Sequence, residues 1–257
     1  MKQIKPKIIS NKLLTKSYWR CIMRAPAIAK IAKPGQFINV KTTSGLVPLL
    51  RRPFSIHNID GADLEVIYDV VGEGTKAFSQ KRSGEYLDII GPLGNGFSLP
   101  VSSKYLLIVV GGGVGIAPLF LLAKKAKTKN KIVLIGSKNQ GELLCEKEFK
   151  DIGCDVKIST DDGSYGFKGQ VTSLLREVLD IKRREKERIL IYACGPTPML
   201  KEAFKIATTN GLPAQFSLEE HMGCGIGACL GCVVKTKNGL KRVCKEGPVF
   251  NASDLVW

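Results

Sequence analysis

The sequence predicts a multidomain β + α/β protein built from three parts. We expect an antiparallel β-barrel over residues 1–100, an α/β domain with a parallel sheet over residues 101–214, and a small cysteine-bearing module over residues 215–257. Three observations predict this division: strand-like segments dominate the first part, strands alternate with helices in the second, and four cysteines cluster in the third. An apolar content of 44% suits a globular protein with a full core.

The first part reads as short strands separated by turn residues. Segments such as QFINV, ADLEVIYDVVG and EYLDIIG are rich in β-branched and aromatic residues, and Gly, Pro, Asn or Asp bound them. No long helical periodicity precedes Lys76, where a short helix is expected over 76–80. An antiparallel barrel is the architecture that this pattern favours.

The pattern changes at GPLGNGFSLP, residues 91–100. Afterwards strands and helices alternate, which indicates a parallel sheet with helices on both faces. The expected strands are 105–110, 131–136, 155–159 and 189–193, and the expected helices are 117–127, 142–150, 171–179 and 199–208. The uncharged stretch 105–123 is long enough for a membrane span, but three consecutive glycines and Pro118 divide it into strand, turn and helix. We therefore expect no membrane span, and the N-terminal residues lack the pattern of a signal peptide.

The third part carries a dense set of cysteines. Cys224, Cys229, Cys232 and Cys244 follow the pattern C-x4-C-x2-C with a more distant fourth cysteine, which is the ligand spacing of plant-type [2Fe–2S] clusters. Interleaved glycines let the backbone wrap closely around such a cluster. A four-cysteine zinc site is the alternative, although structural zinc usually takes two C-x2-C pairs and only one is present. Disulfides are disfavoured because eight cysteines in 257 residues are too few for a disulfide-held scaffold.

The chain is strongly basic, with a formal net charge of +16. Nucleic-acid binding is one interpretation of such a charge. The lysines are spread along the chain, however, and the dense run KRREKER at 182–188 contains two glutamates and follows an expected helix. We interpret that run as a solvated helix end and expect no nucleic-acid partner. The charge can instead attract an acidic protein or an anionic cofactor.

Two glycine-containing turns are expected at strand ends in the second part. The turn GGGVGIAP supplies Gly111, Gly112, Gly113 and Gly115, and the turn CGPTPM supplies Cys194, Gly195 and Pro196. Each follows a strand and opens a helix, so backbone N–H groups and the helix dipole can meet a phosphate. Two such turns at the carboxyl ends of parallel strands would flank a nucleotide crevice. Either turn could also serve only close packing.

Two further motifs lie in the barrel part. The segment RPFS comprises Arg52, Pro53, Phe54 and Ser55, and it combines a guanidinium, an aromatic ring and a hydroxyl. Such a set can hold a pyrophosphate beside a flat ring. The segment GEGT contributes Gly74 and Thr75 before the short helix, where N–H groups can meet a second phosphate. Both motifs could also be ordinary turns.

The order RPFS, GEGT, GGGVGIAP, CGPTPM resembles the ferredoxin–NADP reductase family of flavoproteins. With the cysteine pattern added, nearly the whole chain closely resembles the electron-transfer subunits of dihydroorotate dehydrogenase B. The resemblance implies an FAD-binding barrel, an NAD-binding α/β domain and a [2Fe–2S] module. It implies FAD contacts on three segments of the barrel: Arg52, Pro53, Phe54 and Ser55; Ile67, Tyr68 and Asp69; Gly74 and Thr75.

The resemblance also implies a partner and a pathway. The chain would be a cytoplasmic oxidoreductase subunit in pyrimidine biosynthesis, with no catalytic acid–base residue of its own. It would pair with an FMN-containing dihydroorotate dehydrogenase catalytic subunit, as a heterotetramer of two of each. Electrons would pass from FMN through the cluster and FAD to NAD⁺. Two alternatives stay open: the small subunit of a sulfide dehydrogenase or of an NADH-dependent ferredoxin:NADP oxidoreductase, and a basic zinc-binding nucleic-acid module. The oxidoreductase alternative typically has Asp where this chain has Cys224.

The dinucleotide is expected to be NAD rather than NADP. The strand expected at 131–136 is followed by Ser137, Lys138, Asn139 and Gln140, without the Arg that usually meets a 2′-phosphate. Packing roles are favoured for His57 and Trp257, although each could approach the flavin. Cys194 could face the nicotinamide or be a buried thiol.

Overall fold

The computed structural model describes residues 1–43, 45, 47–100, 102–184 and 187–257, with the side chains of 183 and 184 left out. In this part of the chain the N-terminal strands form two four-stranded antiparallel sheets, with the orders β1-β8-β4-β5 and β2-β3-β7-β6. The strands are β1 (Lys2–Ile4), β2 (Lys7–Leu13), β3 (Tyr18–Arg24), β4 (Phe37–Lys41), β5 (Arg52–Ser55), β6 (Asn58–Asp60), β7 (Asp63–Asp69) and β8 (Asp88–Leu93). Short helices α1 (Pro26–Ala29) and α2 (Glu73–Ser79) accompany them.

The two sheets enclose one apolar core, which confirms the predicted barrel. Alternate residues of β7 point inwards, so Leu64, Val66 and Tyr68 are buried there with Phe54 and Phe78. Helix α2 begins at Glu73, three residues before the predicted start, because the GEGT segment itself forms its first turn.

Seven later strands build one sheet over the described residues, in the order β12-β11-β10-β9-β13-β14-β17. Its strands are β9 (Tyr105–Gly112), β10 (Lys131–Ser137), β11 (Asp155–Thr160), β12 (Phe167–Lys168), β13 (Arg188–Cys194), β14 (Ala214–Ser217) and β17 (Val249–Asn251). All neighbours are parallel except β14 and β17. The predicted parallel sheet is therefore confirmed, with one antiparallel edge strand that the pattern did not reveal.

Helices cover both faces of this sheet. Their bounds are α3 (Ala117–Lys125), α4 (Glu146–Asp151), α5 (Val171–Arg184) and α6 (Thr197–Thr209). Helices α3 and α4 pack on one face and α5 and α6 on the other, each over a continuous apolar cluster. The stretch 105–123 is divided into β9, a 3₁₀ turn (Gly113–Ile116) and α3, as predicted. No helix in the described residues is long and apolar enough to cross a membrane.

Two predicted helix bounds in this domain were wrong by four or more residues. The helix expected from residue 142 begins at Glu146, because a 3₁₀ turn (Gln140–Glu142) comes first and Cys145 takes a left-handed φ of 64°. Helix α5 continues past Leu179 to Arg184. The KRREKER run thus begins on this helix, and the expectation of a solvated helix end there rests partly on residues 183–186, which lie outside the full description.

The cysteine module is attached to the central sheet at both of its ends. It leaves β14, forms the hairpin of β15 (Val233–Thr236) and β16 (Gly239–Arg242), and returns as β17 beside β14. A final 3₁₀ turn covers Ala252–Asp254. The predicted limit between residues 214 and 215 therefore falls inside β14, whereas the limit between 100 and 101 meets Val101, which is not described.

Candidate functional site

The two glycine turns of the α/β domain touch each other. Strands β9 and β13 are neighbours, with Gly111 paired to Cys194 at their carboxyl ends. A Cβ on Gly115 would lie 2.5 Å from the Cα of Gly195, so neither turn has room for a side chain at this contact. Gly113 adopts a φ of +55°, a backbone conformation that favours glycine.

A cavity of about 570 Å³ opens above these turns. Its described lining contains most of the predicted nucleotide-binding residues, namely Gly112, Gly113, Gly115, Gly195 and Pro196. Gly111 and Cys194 are buried below it, because Gly111 packs against Ile116 and Cys194 is almost fully enclosed. Burial raises the pKa of the Cys194 thiol well above its usual range. A crevice at the carboxyl ends of parallel strands is the place where such folds bind nucleotides.

Two residues from outside the α/β domain also line this cavity. Tyr18 comes from β3 of the barrel, where it pairs with Asp69, and Glu219 follows β14. Burial raises the pKa of Tyr18, and the carboxylates of Asp69 and Glu142 add to this effect. Solvent still reaches Glu219 through the crevice, yet the surrounding protein raises the pKa of its carboxyl. Sequence patterns could not reveal either residue, because only the packing of the domains brings them to the crevice.

The RPFS and GEGT motifs meet on the barrel surface. A Cβ on Gly74 would lie 2.7 Å from Nε of Arg52, so the glycine makes room for the guanidinium. Arg51 forms an ion pair with Asp88 at 2.7 Å. Arg52 donates only to backbone carbonyls in the described residues, at 2.7 Å to that of Leu50. Arg52 is therefore the cation of this motif that remains available for a phosphate.

The side chains of the other predicted flavin contacts lie either on the outer face of the barrel or in its core. Pro53 and Ser55 are half-buried on the outer face of β5. The rings of Phe54 and Tyr68 pack with Phe78 in the barrel core, with centroids 4.5 to 5.3 Å apart. Phe54 and Tyr68 are 6% and 3% exposed, so little of either ring is accessible from the barrel surface.

Thr75 and Asp69 are two more predicted contacts. Their side chains differ in whether an oxygen lacks a hydrogen-bond partner among the described residues. The Thr75 hydroxyl accepts the N–H groups of Val71 and Gly72 at 3.0 and 3.2 Å, so it closes its own turn. Asp69 keeps a buried Oδ1 without a hydrogen-bond partner in the described part of the chain. Ile67 is buried against the α/β domain. An available Arg52 and an unpaired Asp69 oxygen make this surface suitable for the phosphate and polar groups of FAD.

The four cysteines of the module converge on one site. The Cys229 N–H donates to Cys224 Sγ at 3.4 Å, and the Cys244 N–H donates to Cys232 Sγ at 3.4 Å. Cys224 Sγ accepts backbone N–H groups from the loop that follows it, at 3.3 to 3.5 Å. Burial would raise the pKa of Cys224, but these N–H donors outweigh it and lower the pKa to about 6. Burial and the neighbouring Cys232 raise the pKa of Cys244 to about 12.

This donor set fits a [2Fe–2S] cluster. Four sulfurs and a loop whose N–H groups point at one of them are the ligands that such a cluster needs. Gly225 and Gly227 adopt φ values of +70° and +86°, which the wrapping of the loop requires. Cys232 and Cys244 are buried, Cys224 is half-buried and Cys229 is exposed, so one edge of the site faces outwards.

A barrel residue connects the flavin motif to this cysteine loop. Asn39 of β4 pairs with Pro53 of the RPFS motif, and its Nδ2 donates to the Cys224 carbonyl at 3.1 Å. A Cβ on Gly225 would come within 2.3 Å of that amide nitrogen. Asn39 is almost fully buried. The two predicted redox sites are therefore linked through one side chain, which no motif in the sequence indicated.

Comparison with known proteins decides the family. Residues 219–256 match the iron-sulfur cluster binding domain of dihydroorotate dehydrogenase B, and residues 109–205 match an oxidoreductase NAD-binding domain. An electron transfer subunit of dihydroorotate dehydrogenase B (NAD(+)) from Desulforamulus reducens is 41% identical over 241 residues, covering 91% of this chain and 90% of the relative. The chain belongs to the family of dihydroorotate dehydrogenase B electron-transfer subunits. A member from Geobacillus sp. strain WCH70 is 39% identical, covering 100% of this chain and 99% of the relative.

Solved structures agree with this assignment. The structure of an NADH-dependent reduced ferredoxin-NADP oxidoreductase matches with a TM-score of 0.83 and 28% identity, covering 98% of this chain and 90% of the other. A ferredoxin NADP+ reductase from Neisseria gonorrhoeae, with bound FAD and NADP, shares the fold at a TM-score of 0.66 and 18% identity, covering 82% of this chain and 92% of the other. These matches confirm the predicted fold class. The matched domains, the family and the flavin-based relative of 28% identity support the cofactor set of FAD, [2Fe–2S] and NAD. The individual contact residues remain predictions.

Arg52→Ala should weaken FAD binding by this family member. Charge-assisted hydrogen bonds contribute about 1.5–3 kcal/mol, so the Kd for FAD should rise by about one to two powers of ten. Fluorescence titration of flavin-stripped protein measures this. Arg51→Ala is the control, because Arg51 is already paired with Asp88. If Arg52→Ala binds FAD with the same affinity as the unmodified protein, Arg52 does not contact FAD.

Asn39→Ala should loosen the cysteine loop. The change deletes the donor to Cys224 in a buried position, and an unsatisfied buried group costs about 1–3 kcal/mol. The cluster absorbance should therefore bleach about tenfold faster under a chelator. Asn58→Ala is the control, since Asn58 bonds Glu65 and Lys124 away from the loop. Unchanged bleaching would mean that Asn39 does not hold the loop.

Proposed function

We propose that this chain carries electrons from an FMN-bearing dihydroorotate dehydrogenase catalytic subunit, through its [2Fe–2S] cluster and FAD, to NAD⁺. The observation that supports this most strongly is the chain of contacts between three candidate sites. Tyr18 lines the NAD crevice and pairs within the barrel with Asp69, a predicted flavin contact. Asn39 joins the RPFS motif to the cysteine loop. The bound flavin can exchange a hydride with a nicotinamide and single electrons with a cluster, so it belongs between them.

The residues of this chain bind and orient the cofactors. The glycine turns Gly112–Gly115 and Gly195 would receive the NAD pyrophosphate on backbone N–H groups. Arg52 would meet a phosphate of FAD, with Gly74 giving it room. Cys224, Cys229, Cys232 and Cys244 would hold the iron, with Cys229 on the exposed edge. That edge is where a partner subunit can approach the cluster.

The domain division and the assembly are part of the same proposal. The FAD-binding barrel covers residues 1–100, the NAD-binding domain 101–214 and the [2Fe–2S] module 215–257, with β14 shared between the last two. The complete enzyme is a cytoplasmic heterotetramer of two electron-transfer and two FMN-containing catalytic subunits. The strongly basic surface, with its net charge of +16, suits an acidic partner protein.

Reconstitution with the catalytic subunit tests the electron route. Cys229→Ser removes one cluster ligand in a module separate from the flavin motifs, so it should abolish dihydroorotate-dependent NAD⁺ reduction while FAD stays bound. NADH-driven reduction of an artificial two-electron acceptor should continue at its normal rate. Cys154→Ser, which changes a buried cysteine outside the module, is the control. Loss of FAD together with iron, or full dihydroorotate activity without a cluster, would contradict the route.

The crevice should prefer NADH to NADPH. Its described lining includes Lys138 but no arginine, and the carboxylates of Glu142 and Asp161 would repel a 2′-phosphate. We expect kcat/KM for NADH to exceed that for NADPH by at least about tenfold, which requires only 1.4 kcal/mol of discrimination. Steady-state kinetics of the flavin-loaded protein measure this ratio. A preference for NADPH would reverse the assignment.

A further inference from the structure

A second group of metal-binding side chains lies away from the cysteine module, where the barrel meets the α/β domain. It consists of His57, Cys145 and Glu148, whose ligand atoms all lie within 4.8 Å of one another. His57 follows β5, whereas Cys145 precedes α4 and Glu148 lies within it. The cluster therefore joins two domains.

His57 is arranged like a histidine that ligates a metal. It is fully buried, and its Nδ1 lies 2.8 Å from the Ala117 carbonyl, which can only accept. Nδ1 is therefore the donor to this carbonyl, which leaves Nε2 as the ring nitrogen that can ligate a metal. Nε2 has no hydrogen-bond partner in the described residues and lies 3.7 Å from Oε1 of Glu148. Metal-binding histidines almost always donate their second N–H in this way, which fixes the ring orientation.

Glu148 is held by a neighbouring cation. Arg20 of β3 forms an ion pair with Oε1 of Glu148, and Glu65 lies 3.9 Å from the Nε of Arg20. A carboxylate offers about four acceptor positions on its two oxygens, so Arg20 can stay bound while the carboxylate ligates a metal. Ligating carboxylates are commonly hydrogen-bonded in this manner.

We propose that His57, Cys145 and Glu148 bind Zn²⁺, a borderline-soft divalent cation, between the barrel and the α/β domain. Imidazole nitrogen, thiolate sulfur and carboxylate oxygen are the three protein ligand types that zinc takes. The thiolate and the imidazole disfavour Mg²⁺ and Ca²⁺, which prefer oxygen.

The distances and charges suit this cation. Zinc bonds of about 2.0–2.3 Å place two tetrahedral ligands roughly 3.4–3.6 Å apart. The 3.7 Å separation of His57 Nε2 and Glu148 Oε1 is already close to this value. Zn²⁺ and Arg20 together would balance the negative charges of Glu148, Glu65 and a Cys145 thiolate. The Glu148 side chain is 27% exposed, which leaves a route for entry.

A cation here would fix the orientation of the two domains. His57 lies two residues after the end of the RPFS-containing strand, and its ring stacks on Phe120 of α3 with centroids 5.0 Å apart. Cys145 and Glu148 belong to the neighbouring α/β domain. Zinc would therefore tie the flavin motif to the domain that holds the NAD crevice.

Metal analysis of the FAD- and cluster-loaded protein tests the site. The protein is exposed under anaerobic conditions to a small excess of Zn²⁺ and desalted, after which zinc, iron and FAD are measured together. We expect about one zinc per chain in the unmodified protein and in Cys154→Ser, and loss of that zinc in Cys145→Ser and Glu148→Gln. Iron content should be the same in all four. The Cys154 control changes a buried thiol of the same domain.

X-ray absorption at the zinc edge of the unmodified protein identifies the ligands without any variant. We expect one sulfur near 2.3 Å and nitrogen or oxygen near 2.0–2.1 Å. A shell of several sulfurs with loss of iron would place the zinc at the cluster cysteines and overturn the proposal. Absence of retained zinc, or equal retention in Cys145→Ser, would also overturn it.

Discussion

Pairing between β14 and β17 holds the cysteine module against the central sheet. Phe216 and Phe250 lie opposite each other in this pair, and both are buried in the cluster under α5 and α6. Buried aromatic residues of this kind contribute strongly to stability. The pair fixes both ends of the module, while Asn39 and Asn95 connect it to the barrel through the carbonyls of Cys224 and Glu246. The position of the cluster site relative to the flavin motif depends on these contacts.

A second constraint shapes the crevice between the domains. The glycine turns after β9 and β13 approach so closely that Gly115 and Gly195 share space that no side chain could occupy. Both glycines line the crevice at the carboxyl edge of the sheet, and the barrel residue Tyr18 lines it as well. Residues of two domains therefore line the crevice, although both glycine turns that can bind an anion belong to the α/β domain.

Much of the fold and part of the site could be predicted from the sequence, because local patterns carry them. Alternating strands and helices indicated the parallel sheet, and the spacing from Cys224 to Cys244 indicated the cluster ligands. The features that escaped prediction depend on long-range packing. Strand β17 is three residues long and has no periodic signal, and the pairing of Asn39 with Pro53 becomes visible only in the sheet register. Phe54 and Tyr68 belong to a motif, but strand alternation directs their rings into the core.

The attachment of the cysteine module has a consequence for its evolution. The chain leaves the sheet at Ser217 and returns at Val249, and these two residues are direct partners in the antiparallel pair. The whole module is therefore a greatly enlarged hairpin turn, inserted between strands that could equally be joined by a short loop. Because the entropic cost of closing a loop grows only slowly with its length, an insertion at such a position is tolerated by the sheet. A reductase of this fold could gain or lose an iron–sulfur carrier at this point without rebuilding the domains that hold its flavin and nucleotide.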